Sequence, residues 1–430
     1  MMVGMLGQTA LGLCDTKLVG ALGAAALGGV GMGAMLLSLC YAMVTGLMRG
    51  VKVRAAYAVG EGRPGDAVRY AQAGATLGVA FGVVMWAASR DVTPVLHLIG
   101  LEASMVPYAR DFVAARSWGA VAACAATALF QYLQGVGDAR TPMRVGIVAN
   151  VLNALLAWSL IYGHLGLPAL GVRGAGYATS VTEVLELVAL TVAVGRRARA
   201  AGPAPIALRS ALRRVTSVGL PTGLQFVFET LASTTFLAIL GTLGATQLAA
   251  HQITMSSMRA SFLPGVAVAE AASVLVAQSL GERRLAEADR VTRVALVWGV
   301  GFMTLCGVAF AVSGAAVAGA FTDDGAVVQV ARRLFLVAAV FQALDAVALI
   351  LGGALRGAKE ARWVAAVGVT LSWLCVPGAA FVLGKLLGWG ALGAWLGYLV
   401  EGTLVSALLW WRWSRGVWRA TFTGITIAAR

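Results

Sequence analysis

The sequence predicts an all-α integral membrane protein, with twelve transmembrane helices in two parallel-repeat six-helix lobes around a central cavity. Three observations carry this. Hydrophobic residues make up 59% of the 430 and charged residues only 12%, roughly half the charged share of an ordinary soluble domain, which excludes a soluble enzyme as the default. Apolar stretches recur twelve times, each near the roughly 20 residues a helix needs to cross a bilayer. The two halves of the chain also match one another at a nearly constant offset.

In order, the stretches run near 3–22, 26–48, 68–89, 112–135, 143–163, 174–195, 216–241, 246–280, 291–316, 333–355, 362–384 and 390–411. The first begins almost at Met1 and lacks both a basic leader and a small-residue cleavage site, so it reads as a span and not a signal peptide. The eighth is the longest, and Pro264-Gly265 is expected to kink it. No stretch alternates with period two, which argues against a β-barrel. The 54 glycines follow no collagen period; with the abundant Ala they let helix backbones approach closely in lipid. Twelve Trp suit the two bilayer interfaces.

The net charge of +14 has an address. Arg49, Lys52, Arg54, Arg63 and Arg69 lie on one connection, and Arg140 and Arg144 on the next but one. Arg196, Arg197, Arg199, Arg209, Arg213 and Arg214 follow, then Arg283, Arg284, Arg290 and Arg293, then Arg356, Lys359 and Arg362. The tail adds Arg412, Arg415, Arg419 and Arg430. These fall on every second connection, so the positive-inside rule places both termini in the cytoplasm of a multi-pass cell (inner) membrane protein. The charge is thus a topology signal and not a nucleic-acid footprint. Cys14, Cys40, Cys124, Cys306 and Cys375 show no metal-binding spacing, and His97, His164 and His251 do not cluster with them.

The polar connection 196–214 divides the chain into an N-terminal lobe (1–195) and a C-terminal lobe (215–413), followed by a cytoplasmic tail (414–430). At an offset of about 221, Gly60-Glu61 meets Gly281-Glu282, Ala109-Arg110 meets Ala331-Arg332, Ala139-Arg140 meets Ala361-Arg362, and Gly176-Tyr177 meets Gly397-Tyr398. Six spans per half give both copies the same orientation, with a repeat axis along the membrane normal. At this offset Leu220-Pro221 would precede Met1, so the first helix lacks its leading turns: either the true start lies upstream or a short first helix is tolerated. The offset also sets Asp15 against Phe236 and Glu229 against Gln8: the scaffold repeats and the acids do not.

Ionisable groups inside spans cost about 2.5–3.5 kcal/mol each at the bilayer centre, so they mark function. They are Asp15, Arg116, Glu183, Glu186, Glu229, Arg259, Glu270, Asp345 and Glu401. Acids facing a protein interior suit a cation path, because each can take up a proton or bind Na⁺. Glu229 has Gln225 one turn earlier on the same face, and Asp345 has Gln342 at i−3. Glu183 and Glu186 share a face and are candidates to line a cavity, as are Gln225, Gln342 and Asn150. Arg259 and Glu270 read as a mutual or cytoplasmic-side ion pair, and His251 as a helix-end hydrogen-bonding group. Nothing matches an ATP-binding phosphate loop.

Several stretches resemble the multidrug and toxic compound extrusion (MATE) family. They are Gln8 to Gly23, Gly137-Asp138-Ala139-Arg140-Thr141-Pro142 followed by Asn150 to Asn153, Gly171 to Thr179, Gly219-Leu220-Pro221 leading to Phe228-Glu229-Thr230, Leu248 to Ile253, and Pro264 to Gly281. The ordered set covers nearly the whole chain. The resemblance implies a twelve-helix, two-lobe exporter that exchanges Na⁺ or H⁺ for amphipathic, often cationic, small molecules by alternating access. It needs no cofactor besides that coupling ion, binds no nucleic acid, and is expected to be a monomer in the lipid bilayer. Glu229 and Asp345 look like the acidic pair of the second lobe in the NorM-like bacterial branch, where they could hold Na⁺. Asp15 matches the family's first-helix aspartate, with Asn153 and Thr179 in the places of its partners. A second acid found in many members is replaced here by Ala157, which favours proton uptake over Na⁺ in that lobe. Two other functions compete. A lipid-linked oligosaccharide flippase of the same superfamily would want a basic cavity. An intramembrane prenyltransferase-like enzyme would want paired Asp-rich motifs, and only Asp323-Asp324 is adjacent.

Overall fold

The structure, a computed structural model, describes residues 17–423. The helices are α1 (Ala24–Gly60), α2 (Pro64–Ala88), the short α3 (Thr93–Leu98), α4 (Val106–Ser117), α5 (Ala120–Gly135), α6 (Arg140–Tyr162) and α7 (Val172–Ala201). They continue as α8 (Leu208–Gly241), α9 (Ala245–Gly281), α10 (Leu285–Gly319), α11 (Gly325–Gly357) and α12 (Ala361–Ala379), the last extended by a π-helical turn (Ala380–Leu386). α13 (Gly390–Ser414) and α14 (Val417–Thr423) complete the chain. Among the described residues there is no strand. Among the described residues ten helices are long and apolar enough to cross a membrane, or eleven if α4 and α5, bent by 55° to one another, are taken as one span. The first expected span, 3–22, lies almost wholly outside the described residues.

The helices overrun the apolar stretches that announce them. α1 has 37 residues, about 55 Å at 1.5 Å per residue, against a hydrocarbon core of roughly 30 Å. Hydropathy marks only the lipid-crossing part; the helix continues through Arg49, Lys52 and Arg54, and Lys52 is buried. For the same reason the polar connection expected over 196–214 is mostly helix. α7 runs to Ala201 and α8 begins at Leu208, leaving six residues opened by Gly202 at φ +73°. α9 stays one helix across Pro264.

The chain divides into two compact units, residues 1–223 and 224–430, so the boundary falls inside α8. The cause is a glycine ladder that keeps residues 208–223 on α1. Gly46 and Gly50 on α1 face Gly219 and Gly223 on α8, each pair four residues apart. A Cβ on Gly46 would stand 2.5 Å from Gly223 Cα, and one on Gly223 would stand 2.8 Å from Met43 O. Cβ atoms on Gly50 and Gly219 would press still closer on Val215 O and Leu47 O. Small residues at this spacing are what allows two backbones to touch in lipid. Arg54 adds a bond to Arg214 O at 3.1 Å and another to Ser217 Oγ at 3.1 Å.

The repeat read in the sequence is a repeat of elements. α1 and α9 have the same length and bounds offset by 221, and each starts after a glycine at φ near +110°, Gly23 and Gly244. Gly62 and Arg283 share a left-handed turn, as do Gly137 and Lys359. One difference stands out: α11 is continuous, whereas its counterpart in the first unit is broken into α4 and α5 at Trp118-Gly119.

Candidate functional site

In the second unit four helices bring acids and amides together. Glu229 is on α8, Asp345 on α11 and Glu401 on α13. All three are half-buried and close enough to act on one another electrostatically. Gln225, one turn before Glu229 and 6% exposed, donates Nε2 to Glu229 Oε1 at 2.8 Å. Its own Oε1 is buried and has no partner among the described residues. α12 passes over this pair at Gly368, where a Cβ would lie 2.7 Å from Gln225 Nε2 and 2.8 Å from Glu229 Oε1. One turn on from Gly368, Ser372 is buried. Trp373 Nε1 donates to Phe228 O at 3.0 Å and fixes α12 on α8.

Asp345 is held in place through its neighbours. Gln342, 1% exposed, donates to Ser261 Oγ on α9. Ser406 Oγ on α13 donates to Leu344 O at 2.7 Å. The site therefore offers carboxylates and a buried amide oxygen, donors that suit a proton or a hard cation. No three His, Cys, Asp or Glu side chains among the described residues converge tightly enough to hold a single metal ion. Glu401 and Ser372 were not placed with the Glu229–Asp345 pair by sequence; the signal was an acid inside the last apolar stretch.

In the first unit, Asp15 lies outside the described residues. Asn153 on α6 is 2% exposed, and its Oδ1 has no partner among the described residues. Thr179 on α7 is half-buried and donates back to Ala175 O at 3.1 Å. Leu18 and Val19 pack with Ala157, Ile161, Ala175 and Ala178 of these helices, and Tyr162 donates to Leu18 O at 2.7 Å. The chain that follows Asp15 thus lies against α6 and α7. Asn150 is half-buried.

Glu183 is not a lone cavity acid. It takes both guanidinium nitrogens of Arg116, with side chains 15% and 12% exposed and Tyr41's ring 5.1 Å from the guanidinium carbon. This pair sits at the α4–α5 break, where Gly119 N donates to Ser180 Oγ at 3.1 Å. Arg259 and Glu270 cannot pair with one another: eleven residues along α9 separate them by about 16 Å, Arg259 is exposed and Glu270 is buried. His251 accepts from Trp395 Nε1 at 3.2 Å, a structural hydrogen bond within a buried aromatic cluster. Outside the spans, Asp138 heads α6. Burial pushes its carboxyl up, but Thr141's hydroxyl and N–H and the Arg197 guanidinium outweigh this and hold it below the usual carboxylate range.

A membrane protein of repeated helical halves, with acids gathered inside one half, is by class a transporter and not an enzyme. Residues 1–159 and 221–381 match the MatE family, and the chain belongs to that family. It is 30% identical over 406 residues to the probable multidrug resistance protein NorM of Pseudomonas syringae pv. tomato, covering 92% of this chain and 88% of that one. It is likewise 30% identical to the multidrug resistance protein NorM of Burkholderia vietnamiensis, covering 95% and 90%. Among solved structures, a MATE protein in its bent conformation superposes with a TM-score of 0.88 at 20% identity, covering 98% of this chain and 94% of that one. The eukaryotic MATE transporter AtDTX14 gives 0.86 at 18% identity, covering 98% and 95%.

Proposed function

We propose that this chain is a secondary active antiporter of the cell (inner) membrane, working by alternating access. It exports small amphipathic, cationic drugs or toxins in exchange for Na⁺ or H⁺. Both termini face the cytoplasm, and the protein acts as a monomer with no cofactor besides the coupling ion. The observation that carries this reading is the set of acids on α8, α11 and α13 with Gln225 bonded to Glu229, in a chain whose relatives are named for multidrug resistance. Two cationic species that compete for one set of acids are exchanged, because a ligand shifts a conformational equilibrium only through its different affinity for the two states. Glu229 and Asp345 are the coupling acids, and Asp15 with Asn153 and Thr179 forms the corresponding group of the first lobe. The test is ethidium efflux from proteoliposomes under separately imposed Na⁺ and H⁺ gradients. Glu229→Gln and Asp345→Asn abolish gradient-driven efflux while the protein stays folded and inserted, and Asp15→Asn reduces it. Wild-type rates in Glu229→Gln would remove the second-lobe site and make Asp15 the leading coupling residue.

A further inference from the structure

The ends of α12 and α13 on the arginine-rich side carry a ladder of cations and rings that the acid site leaves unused. Arg412 on α13 donates Nε and Nη2 to Glu360 Oε2 at 3.2 and 2.8 Å. Its guanidinium carbon also lies 4.9 Å from the centre of the Trp363 ring on α12. Trp363 stands 6.2 Å, centre to centre, from Trp411, and the Arg415 guanidinium carbon is 5.3 Å from the Trp411 ring. The inner cation is matched by Glu360; the outer one, Arg415, is exposed and forms no ion pair among the described residues. Leading away from Arg415, an apolar stripe follows one face of α13: Val400, Leu404 and Trp411, 49%, 41% and 43% exposed, at the four- and seven-residue steps of a helix face. From Val400 to Arg415 the helix rises about 22 Å, comparable with an extended fatty acyl chain. α14 leaves the stripe open: its Trp418 stacks at 4.6 Å on Trp413, and its Arg419 reaches Asp289 on α10 at 2.6 Å. At the repeat's offset of 221, Trp411 and Arg415 correspond to Leu190 and Val194, which are buried in one core with Ala211 and Val215 of α8. The shared scaffold therefore does not itself call for an exposed Trp and Arg at these two places.

We propose that Arg415 and Trp411 form a site for one anionic phospholipid. Its phosphodiester oxygens accept from the Arg415 guanidinium, and one acyl chain lies along Leu404 and Val400. The chemistry selects this occupant. A basic side chain at the bilayer surface attracts an anionic lipid more than a zwitterionic one, whose own ammonium group competes for the phosphate. The Trp411 ring suits the headgroup level, where an indole keeps one edge wet and the rest apolar. The stripe beyond it is apolar, which a free phosphate would leave unused. Glu360 holds Arg412 over Trp363, and Trp363 backs Trp411, so the ring is in place before a lipid arrives. Such a site requires only a bilayer-spanning chain and is independent of which ions or solutes that chain moves.

Photo-crosslinking of the full chain in proteoliposomes tests this. Phosphatidylcholine vesicles are doped with a trace of phosphatidylglycerol carrying a diazirine on one acyl chain or, in a parallel set, with phosphatidylcholine carrying the same tagged chain. Peptide mass spectrometry reads adducts on the stretch from Val400 to Trp411. Val308 and Val312 on α10, 56% and 83% exposed, lie far along that helix from Arg293 and serve as the reference, so that the ratio between the two helices cancels insertion efficiency. The α13-to-α10 ratio is expected to be about fivefold higher with phosphatidylglycerol than with phosphatidylcholine, the factor that one arginine's attraction for an anionic lipid supplies. Arg415→Gln should bring the two ratios together, and Arg415→Lys, which keeps the charge, should retain most of the difference. Equal ratios in the wild type, or a preference unchanged in Arg415→Gln, overturn the site. Absence of α13 adducts from either lipid overturns it too, since protein would then cover the stripe. If Arg415→Gln does not fold, the wild-type chain still decides: its preference should fall towards one in about 1 M salt, where the Debye length is about 3 Å, and a preference indifferent to salt overturns the site. A small addition of inorganic phosphate should leave the labelling unchanged; its loss would assign the site to a free anion instead of a lipid.

Discussion

The ion pair at the α4–α5 break can be removed in a way that the protein's own repeat suggests. At the offset of 221 to 222, Arg116 corresponds to Ala338 and Glu183 to Leu404, so the scaffold of the second unit already holds an apolar pair where the first holds charges. Removing one member of a buried ion pair costs about 3–5 kcal/mol, because the other charge is stranded. The side chains here are 12% and 15% exposed, which favours the lower end, about 3 kcal/mol. By the scaling of soluble domains near 200 residues, that is a fall of roughly 6–12 °C in melting temperature. Arg116→Ala and Glu183→Leu are each expected to melt lower by such an amount in detergent micelles. The double variant is expected to recover most of the loss, because replacing both charges by apolar groups removes the desolvation penalty together with the attraction. The resulting interaction energy in a double-mutant cycle should be at least about 1–2 kcal/mol. Single variants that melt with the wild type, or a double variant that loses the sum of the singles, would refute the reading of this pair as an internally neutral clamp on the helix break.

Three further outcomes are expected. Gly219→Ala sets a Cβ against the backbone of Leu47 and should cost about 1–3 kcal/mol by overpacking, whereas Gly241→Ala, with nothing within 4 Å, should be neutral or slightly stabilising; equal melting curves would dismiss the ladder. Asp138→Ala removes a carboxylate held below its usual range by Thr141 and Arg197. Its stabilisation, about 1–2 kcal/mol and mostly from the cap because Arg197 is 45% exposed, is present above the usual carboxylate range and lost as the pH falls below it; the gap between wild type and variant should therefore close in acid, and a gap constant with pH would count against it. A single cysteine introduced within 198–206 should react with impermeant maleimide only from the cytoplasmic side, and labelling from outside would invert the topology.

The element plan was legible because hydropathy has only one solution in lipid: each apolar run must close its own backbone hydrogen bonds as a helix. The limits of that reading are physical too. Hydropathy reports where lipid is, not where a helix ends, so α1 and α8 run on through arginines that the composition assigns to connections. The α4–α5 break leaves no proline as a marker; it is fixed by Gly119, Ser180 and the Arg116–Glu183 pair, which meet only in three dimensions. Glu229 with Gln225 was readable because the two share one helix face. Glu401 was visible as an acid inside a span, and no periodicity along α13 says which helices it faces.

The repeat lets charge be compared between two copies of one scaffold. Asp345 corresponds to the buried Ala123, and Glu401 to Ser180, which in the first unit is spent on Gly119 N and the carbonyls of Ala115 and Arg116. Conversely, the charged pair Arg116–Glu183 corresponds to Ala338 and Leu404. The first unit's pair is neutral within itself and contributes geometry at a helix break. The second unit carries half-buried acids on α8, α11 and α13. Under the proposed function it is the second arrangement that takes up the coupling cation, since charge in an apolar medium is costly. On that proposal the same fold uses intramembrane charge in two ways: paired within the protein where it shapes a helix break, and offered to an ion where it couples transport.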